Sequence, residues 1–288
     1  MAKLAQLILA GLVSGAIYSL IATGYAVLYT ATGFVNFALG AQSMLAGYLA
    51  YIFFPGQPLL VRLLISVVGS AALAVASWSL LYRFAAKRDL LAAVIMSFGF
   101  SVILEELVRI KSGSASRPAP TPFGRGVHTL GPLSLSNHSI GVLVVSGLLF
   151  LALIRAFASR RGTAVRAMFQ DAEMAEVLGI RTRRITYVLF AVSGAFAAVA
   201  GILAAPILSL SPFIGLNLAL IGFVGAVLGG LGRVSTAIAG GLMLGLLEAG
   251  FAGYVSADFR SALVYLVFVL VLIVRPVGLL GRVARVKV

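Results

Sequence analysis

The run Ile185–Ser209, ITYVLFAVSGAFAAVAGILAAPILS, carries no charged side chain over 25 positions. As a helix it rises about 37 Å at ~1.5 Å per residue, and about 20 predominantly apolar residues are enough to cross a bilayer's hydrocarbon core. The stretch therefore reads as a membrane-spanning helix, and it is one of many. Comparable runs occupy Leu4–Tyr29, Phe34–Phe54, Leu59–Tyr82, Leu90–Ile110 and His138–Phe157 before it, and Gly215–Leu231, Ser235–Val255 and Ser261–Val274 after it. Hydrophobic residues make up 61% of the chain and charged residues 10%, with a mean hydropathy of +1.11. The expectation is an all-α, polytopic helical membrane protein with eight or nine transmembrane helices. A transmembrane barrel would show short strands of alternating polarity instead.

The 288 residues and their short connections leave no room for a second soluble domain, so residues 1–288 read as a single transmembrane domain. Met1, Lys3 and the apolar run that follows resemble a secretory signal. That run reaches about Leu28, well past the ~7–15 residues of a signal core, and no cleavage site follows, so it reads as the first span. The net charge of +14 comes from basic residues at the ends of apolar runs. Such residues set membrane orientation, whereas a nucleic-acid partner would need a soluble basic patch. No nucleic acid is expected, and lipid is the surrounding medium. Cysteine is absent, which excludes a disulfide framework and a thiolate metal site.

Orientation follows from where the basic residues gather. Arg83, Lys87 and Arg88 mark one loop, Arg155–Arg184 a second, Arg233 a tight turn, and Arg275, Arg282, Arg285 and Lys287 the C-terminal end. Together they hold 15 of the 22 basic residues, and the order of spans puts all four on one side. That side is expected to be cytoplasmic, with the C-terminus on it. The Pro-bearing loop 111–137 (Pro118, Pro120, Pro122, Pro132) and Ala257–Arg260 then face outward. The second segment leaves two alternatives. Thr32, Gly33, Asn36, Gly40, Gln42 and Ser43 make it polar and glycine-bearing, as interrupted cavity-lining segments are, or it is a plain helix packed through small residues. Nine full crossings put Met1 outside; a re-entrant second segment leaves eight and puts it inside.

The loop 158–184 is the distinctive feature. The stretch Arg155–Arg184 holds seven of the 22 basic and three of the eight acidic residues. Val165, Met168 and Phe169 recur at i, i+3 and i+4, an apolar helical stripe, and Ala172, Ala175 and Leu178 continue it. Gly179 is a natural helix stop. Two short helices at the membrane surface fit this pattern, either as an amphipathic connector resting on headgroups or as a handle for a soluble partner.

No catalytic constellation is present, so the chain is not expected to be an enzyme. There is no G-x-x-x-x-G-K-[ST] to hold ATP. His128 and His138 have no clustered metal partners, so no metal site is expected. Gly229, Gly230 and Gly232 before Arg233 read as an interhelical turn.

Glu173-x-Ala175-x-x-x-Gly179 resembles the E-A-A-x-x-x-G coupling motif of bacterial ABC-importer permeases. The wider segment Ala164–Gly201 is similar to the LivH-type permeases for branched-chain amino acids. So are Gly15–Ala22 (GAIYSLIA), Val35-Asn36-Phe37-Ala38-x-Gly40, Gly222–Gly232 (GFVGAVLGGLG) and Arg275-Pro276-x-Gly278-Leu279. These blocks run in consistent order along nearly the whole chain. Leu39 departs from the polar position after Asn-Phe-Ala, and Met174 from the second position of the coupling motif. The resemblance implies a permease subunit, in the bacterial inner membrane, of an ATP-driven importer for branched-chain or similar hydrophobic amino acids. It implies a second related permease, two cytoplasmic ATPase subunits and a periplasmic or extracellular substrate-binding protein as partners. No cofactor is expected in this chain, since ATP is hydrolysed by the partner subunits. Val165, Met168, Phe169, Glu173, Ala175, Leu178 and Gly179 become the expected ATPase-coupling residues, the apolar ones as anchors in a groove.

Polar groups inside spans mark function by default, so Asn36, Gln42, Asn217 and Glu248 are candidates for the translocation pathway. Glu248 has no local partner in its span and could pair with a basic residue of another. Glu105 and Arg109, one turn apart, are expected to pair. Gly11-x-x-x-Gly15, Gly225-x-x-x-Gly229 and Gly241-x-x-x-Gly245 permit close helix approach and are expected to pack within this chain. The alternatives to an importer subunit for these amino acids are an ABC permease for short amides or urea, a stand-alone secondary carrier or channel, and a membrane scaffold.

Overall fold

The computed structural model describes residues 2–124, 126–130, 133–275 and 278–280. Met1, Pro132, Pro276, Arg282, Arg285 and Lys287 lie outside the described residues. The chain begins with α1 (Ala2–Thr32) and α2 (Ala38–Tyr48), which a π-helical turn, Leu49–Phe53, prolongs. Next come α3 (Leu59–Ser77), a second π turn (Trp78–Tyr82) leading into α4 (Arg83–Arg88), and α5 (Leu90–Ser112). An antiparallel pair of strands, β1 (Val127–Leu130) and β2 (Leu133–Ser136), precedes α6 (Asn137–Ala158). Two short helices, α7 (Arg160–Gln170) and α8 (Ala172–Val177), lead into α9 (Thr182–Leu208), α10 (Ile214–Gly229), α11 (Val234–Tyr254) and α12 (Arg260–Val274).

Among the described residues six helices are long and apolar enough to cross a membrane: Lys3–Thr32, Leu59–Ala86, Leu90–Ser112, Asn137–Ala158, Thr182–Leu208 and Val234–Tyr254. Ala38–Phe53, Ile214–Gly229 and Ala262–Val274 are shorter apolar helices. Two features refine the expected order of elements. The 111–137 loop is partly ordered as a β-hairpin, in register from Val127 opposite Ser136 to Leu130 opposite Leu133. The second apolar segment starts as a helix at Ala38, not Phe34, because Gly33 takes a φ of +75° and the Asn36 side chain accepts a hydrogen bond from the Ala38 N–H (3.1 Å).

Contacts sort the connections to two ends of the bundle. At one end Gln6 exchanges two 3.2 Å hydrogen bonds with Ser134 of β2. Arg117 and Leu210 exchange two backbone bonds of 2.8 Å there, and the Lys111 ammonium lies 4.4 Å from the Phe53 ring. At the opposite end Gly232 faces Thr30 and Gly33 faces Leu90, while the Leu279 N–H donates to the Leu228 carbonyl (3.0 Å).

The peripheral helices are polar-in and apolar-out. In α3 the buried residues are Ser66, Ser70, Ala74 and Ser77, and Leu60, Leu64 and Val68 are exposed. In α5, Ser97 and Ser101 are buried while Ile95, Ile103 and Ile110 point outward, Ile110 with 72% of its surface free. Such a continuous apolar belt would aggregate in water and is the expected lipid contact of a membrane bundle, where helices associate through small residues and interhelical hydrogen bonds. Ser70 supplies one such bond, donating to the Gly194 carbonyl of α9 (2.9 Å).

The interior is built on α1, which α9, α10 and α11 surround and which pairs most extensively with α11. All three G-x-x-x-G motifs meet backbone of this chain. A β-carbon on Gly11 would stand 2.9 Å from the Leu246 Cα, one on Gly15 2.9 Å from the Leu242 Cα, and one on Gly241 2.5 Å from the Ser19 Cα. Gly225 faces Gly241, and Gly229 faces Thr236 and Ala237. Ser19 closes the contact by donating to the Ile238 carbonyl (2.7 Å). Substituting Gly245→Val at this crossing should therefore cost at least ~2–3 kcal/mol by overpacking. It should appear as loss of the monodisperse detergent-solubilised protein in size-exclusion chromatography. Gly250→Ala in the same helix, where no atom lies within 4 Å, should be neutral or stabilising by up to about 1 kcal/mol.

Candidate functional site

The candidate side chains fall in two regions. The first is the α7–α8 loop. Ser159 caps α7, its hydroxyl accepting from the Gly162 N–H (3.3 Å), and Asp171 caps α8, accepting from the Met174 N–H (2.9 Å). These are the preferred oxygen caps for orphan N–H groups of a first turn. At the other end of α8 the Ile180 N–H reaches the Ala175 carbonyl and the Gly179 N–H the Glu176 carbonyl, both at 2.9 Å. This is a Schellman stop, and the Gly179 φ of +81° that it requires is favourable only for glycine. The Glu176 carboxylate accepts a hydrogen bond from the Thr182 hydroxyl, tying α8 to the first turn of α9.

The apolar residues of this loop divide into two sets. Met168 is 5% exposed, Val165 and Phe169 pack against the core, and the Phe169 ring lies 6.0 Å from Phe157. Met168 is closed off and Val165 and Phe169 are half-buried, because that face of α7 is turned onto α6 and α1. Ala175 is also buried. The outward apolar groups are Met174, Val177 and Leu178, the last two 81% and 73% exposed, with Glu173 exposed beside them. Residues 174 and 177 lacked a periodic signal because α8 is too short to show one.

The second region is at the end of the bundle that carries the hairpin. Glu248 of α11 is 7% exposed, and its carboxylate lies 3.6 Å from the Arg260 guanidinium at the start of α12. The other carboxylate oxygen, Oε2, is closed off from the cavity and makes no hydrogen bond of good geometry among the described residues, with the Tyr18 phenol set against the carboxylate. A cavity of about 330 Å³ opens beside the pair, lined also by Tyr18, Ser211, Asn217 and the apolar Phe213 and Ile221. A second, of about 240 Å³, shares Glu248 and Arg260 and is lined by Leu7, Ser14 and Gly253. Ser209, on the wall of the first, holds a φ of +61°, the only positive φ at a described non-glycine residue. That conformation is uncommon and concentrates at functional positions.

Of the four polar candidates the structure brings together Asn217 and Glu248. Asn36 and Gln42 are fully buried elsewhere in the interior, and neither Gln42 side-chain atom has a partner among the described residues. Glu105 and Arg109 do not pair: Arg109 bonds Glu106 instead, Nε to Oε2 at 2.7 Å, because the three-residue spacing suits its reach. His138 meets the Leu203 carbonyl (3.0 Å), and no group of metal-ligating side chains is found among the described residues. Sequence reasoning missed Tyr18 and Arg260; a basic residue placed at a membrane edge directly after the span of an unpaired glutamate was the available signal.

The family model described as "Branched-chain amino acid transport system / permease component" matches residues 7–272. The chain is 33% identical over 289 residues to the high-affinity branched-chain amino acid transport system permease protein LivH of Escherichia coli, covering 94% of each. It is 31% identical over 293 residues to the corresponding protein BraD of Pseudomonas aeruginosa, covering 96% of this chain and 95% of that one. A probable LivH permease of Methanocaldococcus jannaschii is 25% identical over 277 residues, covering 91% and 88%. A solved structure, PsaBC from Streptococcus pneumoniae in complex with Fab, aligns over 96% of this chain and 91% of that one with a TM-score of 0.49 and 12% identity.

The division of the loop's apolar residues can be checked directly, since the chain has no cysteine of its own. In the purified protein a Leu178→Cys thiol should react with maleimide at least about tenfold faster than a Met168→Cys thiol, as reactivity follows access. Equal rates would remove the distinction.

Proposed function

The chain belongs to the family of branched-chain amino acid transport permease components, and from that premise we propose that it is a membrane-embedded subunit of an ATP-driven importer for these amino acids. The observation that carries the reading is α8: a capped, glycine-terminated helix that presents Met174, Val177 and Leu178 outward on the sequence Glu173-x-Ala175-x-x-x-Gly179. A short helix with an apolar face and an acidic first turn suits a groove on a soluble partner. The proposed partners are two cytoplasmic ATPases docked on α8 and its counterpart in a second related permease, and a binding protein delivering substrate at the hairpin end.

In this reading the hairpin end faces outward and the loop end the cytoplasm, as the distribution of basic residues favours. Nine apolar segments then cross, α2 by way of the irregular stretch 33–37, so that Met1 lies outside and the C-terminus inside the inner membrane. Gln6 at the hairpin end and Leu279 at the loop end support that arrangement. Asn217, exposed on α10, and the buried Glu248 mark the outer part of the substrate route. Val165, Met168, Phe169 and Ala175 hold the loop onto this chain, and Glu173, Leu178 and Gly179 belong to the docking surface.

Affinity purification from mild detergent should recover two ATPases and a second permease with this chain. Reproducible isolation of the chain alone would favour a solitary carrier or channel. Uptake of leucine by the reconstituted complex, with urea and short amides as competitors, separates the amino-acid reading from its amide-transporting alternative. Glu173→Lys and Leu178→Asp should each lower leucine uptake at least about tenfold while membrane insertion stays normal, the loss expected for a central contact of a docked helix. Unchanged uptake in both would remove α8 as the coupling element.

A further inference from the structure

Arg166 of α7 and Arg233 of the turn between α10 and α11 line one cavity of about 310 Å³ at the loop end of the bundle. Neither has a carboxylate partner among the described residues, whose ion pairs are Arg109–Glu106 and Arg260–Glu248. Arg166 is held by neutral groups instead. Its guanidinium donates to the Phe157 carbonyl and to the Thr163 hydroxyl (3.0 Å), and its other N–H groups stay available. Two guanidinium groups without a counter-charge on one cavity suit an anion, and their planar forks match phosphate oxygens. The rest of the wall is largely apolar, with Ile154, Phe157, Phe169 and Val234. Ile154 also ends an outward stripe on α6. Val144, Leu148, Leu151 and Ile154 recur at helical spacing and are 46–62% exposed. The helix rises about 15 Å along that stripe at ~1.5 Å per residue, half of the ~30 Å hydrocarbon core and so the depth of one leaflet.

We propose that this cavity holds the phosphate of an anionic phospholipid from the leaflet at the loop end, with an acyl chain laid along the α6 stripe. Arg166 and Arg233 take the phosphate together. The first turn of α11, which has no capping side chain, adds backbone N–H groups at Val234 and Ser235 on the cavity wall. A soluble phosphate would use the two arginines but not the stripe, and the continuity of cavity and stripe is what favours a lipid. A choline headgroup brings its own cation beside the two guanidinium groups, so the site selects headgroups of net negative charge. The bound lipid joins α7 to the turn before α11 and thereby braces the α7–α8 loop against the bundle. The site stands on the fold and does not depend on the importer reading.

The test titrates the full-length chain, purified in mild detergent, with phosphatidylglycerol or phosphatidylcholine and counts bound lipid by native mass spectrometry. Phosphatidylglycerol should bind at about one per chain and at least about tenfold more tightly than phosphatidylcholine. Arg166→Gln and Arg233→Gln should each weaken it at least about tenfold. Arg155→Gln removes a charge from the same end of α6 without touching the cavity, and should change binding less than about twofold at physiological ionic strength. Arg166→Gln also removes bonds that hold α7, so the exposed Arg233 carries the test if that variant misfolds. Equal binding of the two lipids, or phosphatidylglycerol binding that survives Arg233→Gln, overturns the site. The chain has no cysteine of its own, so a Ser235→Cys reporter on the cavity wall separates the two sources of phosphate. Phosphatidylglycerol should slow its labelling by maleimide. Protection by inorganic phosphate and not by the lipid overturns lipid occupancy and assigns the cavity to a soluble phosphate.

Discussion

The crossing of α1 and α11 is the contact on which the rest of the molecule depends. With glycine at 11, 15, 241 and 245, the two helices approach until backbone meets backbone, which no larger residue would permit. In an antiparallel pair, side chains tilt toward the N-terminus of their own helix. Tyr18 on α1 and Glu248 on α11 therefore lean toward one another, and they end on the wall of one cavity. The close approach fixes the depth of the carboxylate as well. Glu248 lies six residues before the end of α11, about 9 Å along the helix axis. From the mouth of the cavity a long side chain reaches it, and Arg260 supplies one.

The same solvent logic explains the distribution of serine. In water an amphipathic helix hides its large apolar groups; in lipid those groups are already in a favourable medium, and burying them gains little. The inward face can then be given to small residues that allow close packing and to hydroxyls that satisfy themselves on carbonyls. Ser66, Ser146 and Thr186 donate to the carbonyl four residues back, whereas Ser19, Ser70 and Ser193 donate to carbonyls of other helices. Buried serines at helical spacing are thus the inward code of this bundle, and the outward code is leucine, isoleucine and valine.

Much of this was legible in the sequence because run length and charge placement are one-dimensional properties. Among the described residues each of the nine apolar runs overlaps an apolar helix, and the two short helices fall inside the 158–184 loop. Gly179 ends α8 for the reason the sequence offered. What stayed hidden were properties of pairing. The stripe of Val165, Met168 and Phe169 announces an apolar face, but whether that face meets the chain's own bundle or a partner depends on how α6 is aimed. Glu248 announces a need for a cation, but Arg260 becomes the answer only once α11 and α12 fold back on each other. Asn36 and Gln42 look like Asn217 and Glu248 in a list of intramembrane polar residues, and only packing separates the pair inside the core from the pair at the cavity.

In the importer reading, these placements make one mechanical connection. Glu176 clamps α8 to Thr182, the first residue of α9, and α9 runs unbroken for 27 residues, about 40 Å, to the opposite end of the bundle. There it leads directly into Ser209 and Ser211 on the cavity wall. Between its ends α9 is gripped by α1, α2 and α3, with Ser193 donating to the Gly24 carbonyl (3.1 Å) and Tyr51 to the Ile202 carbonyl (3.1 Å). A push on α8 cannot be absorbed within a flexible linker, because the Schellman stop leaves only residues 178–181 between the two helices. It must either move α9 as a rod against its neighbours or break the Glu176–Thr182 contact. The strained Ser209 sits where that rod ends, so a small displacement of α9 reaches the residues facing Glu248 and Arg260 without passing through any other helix.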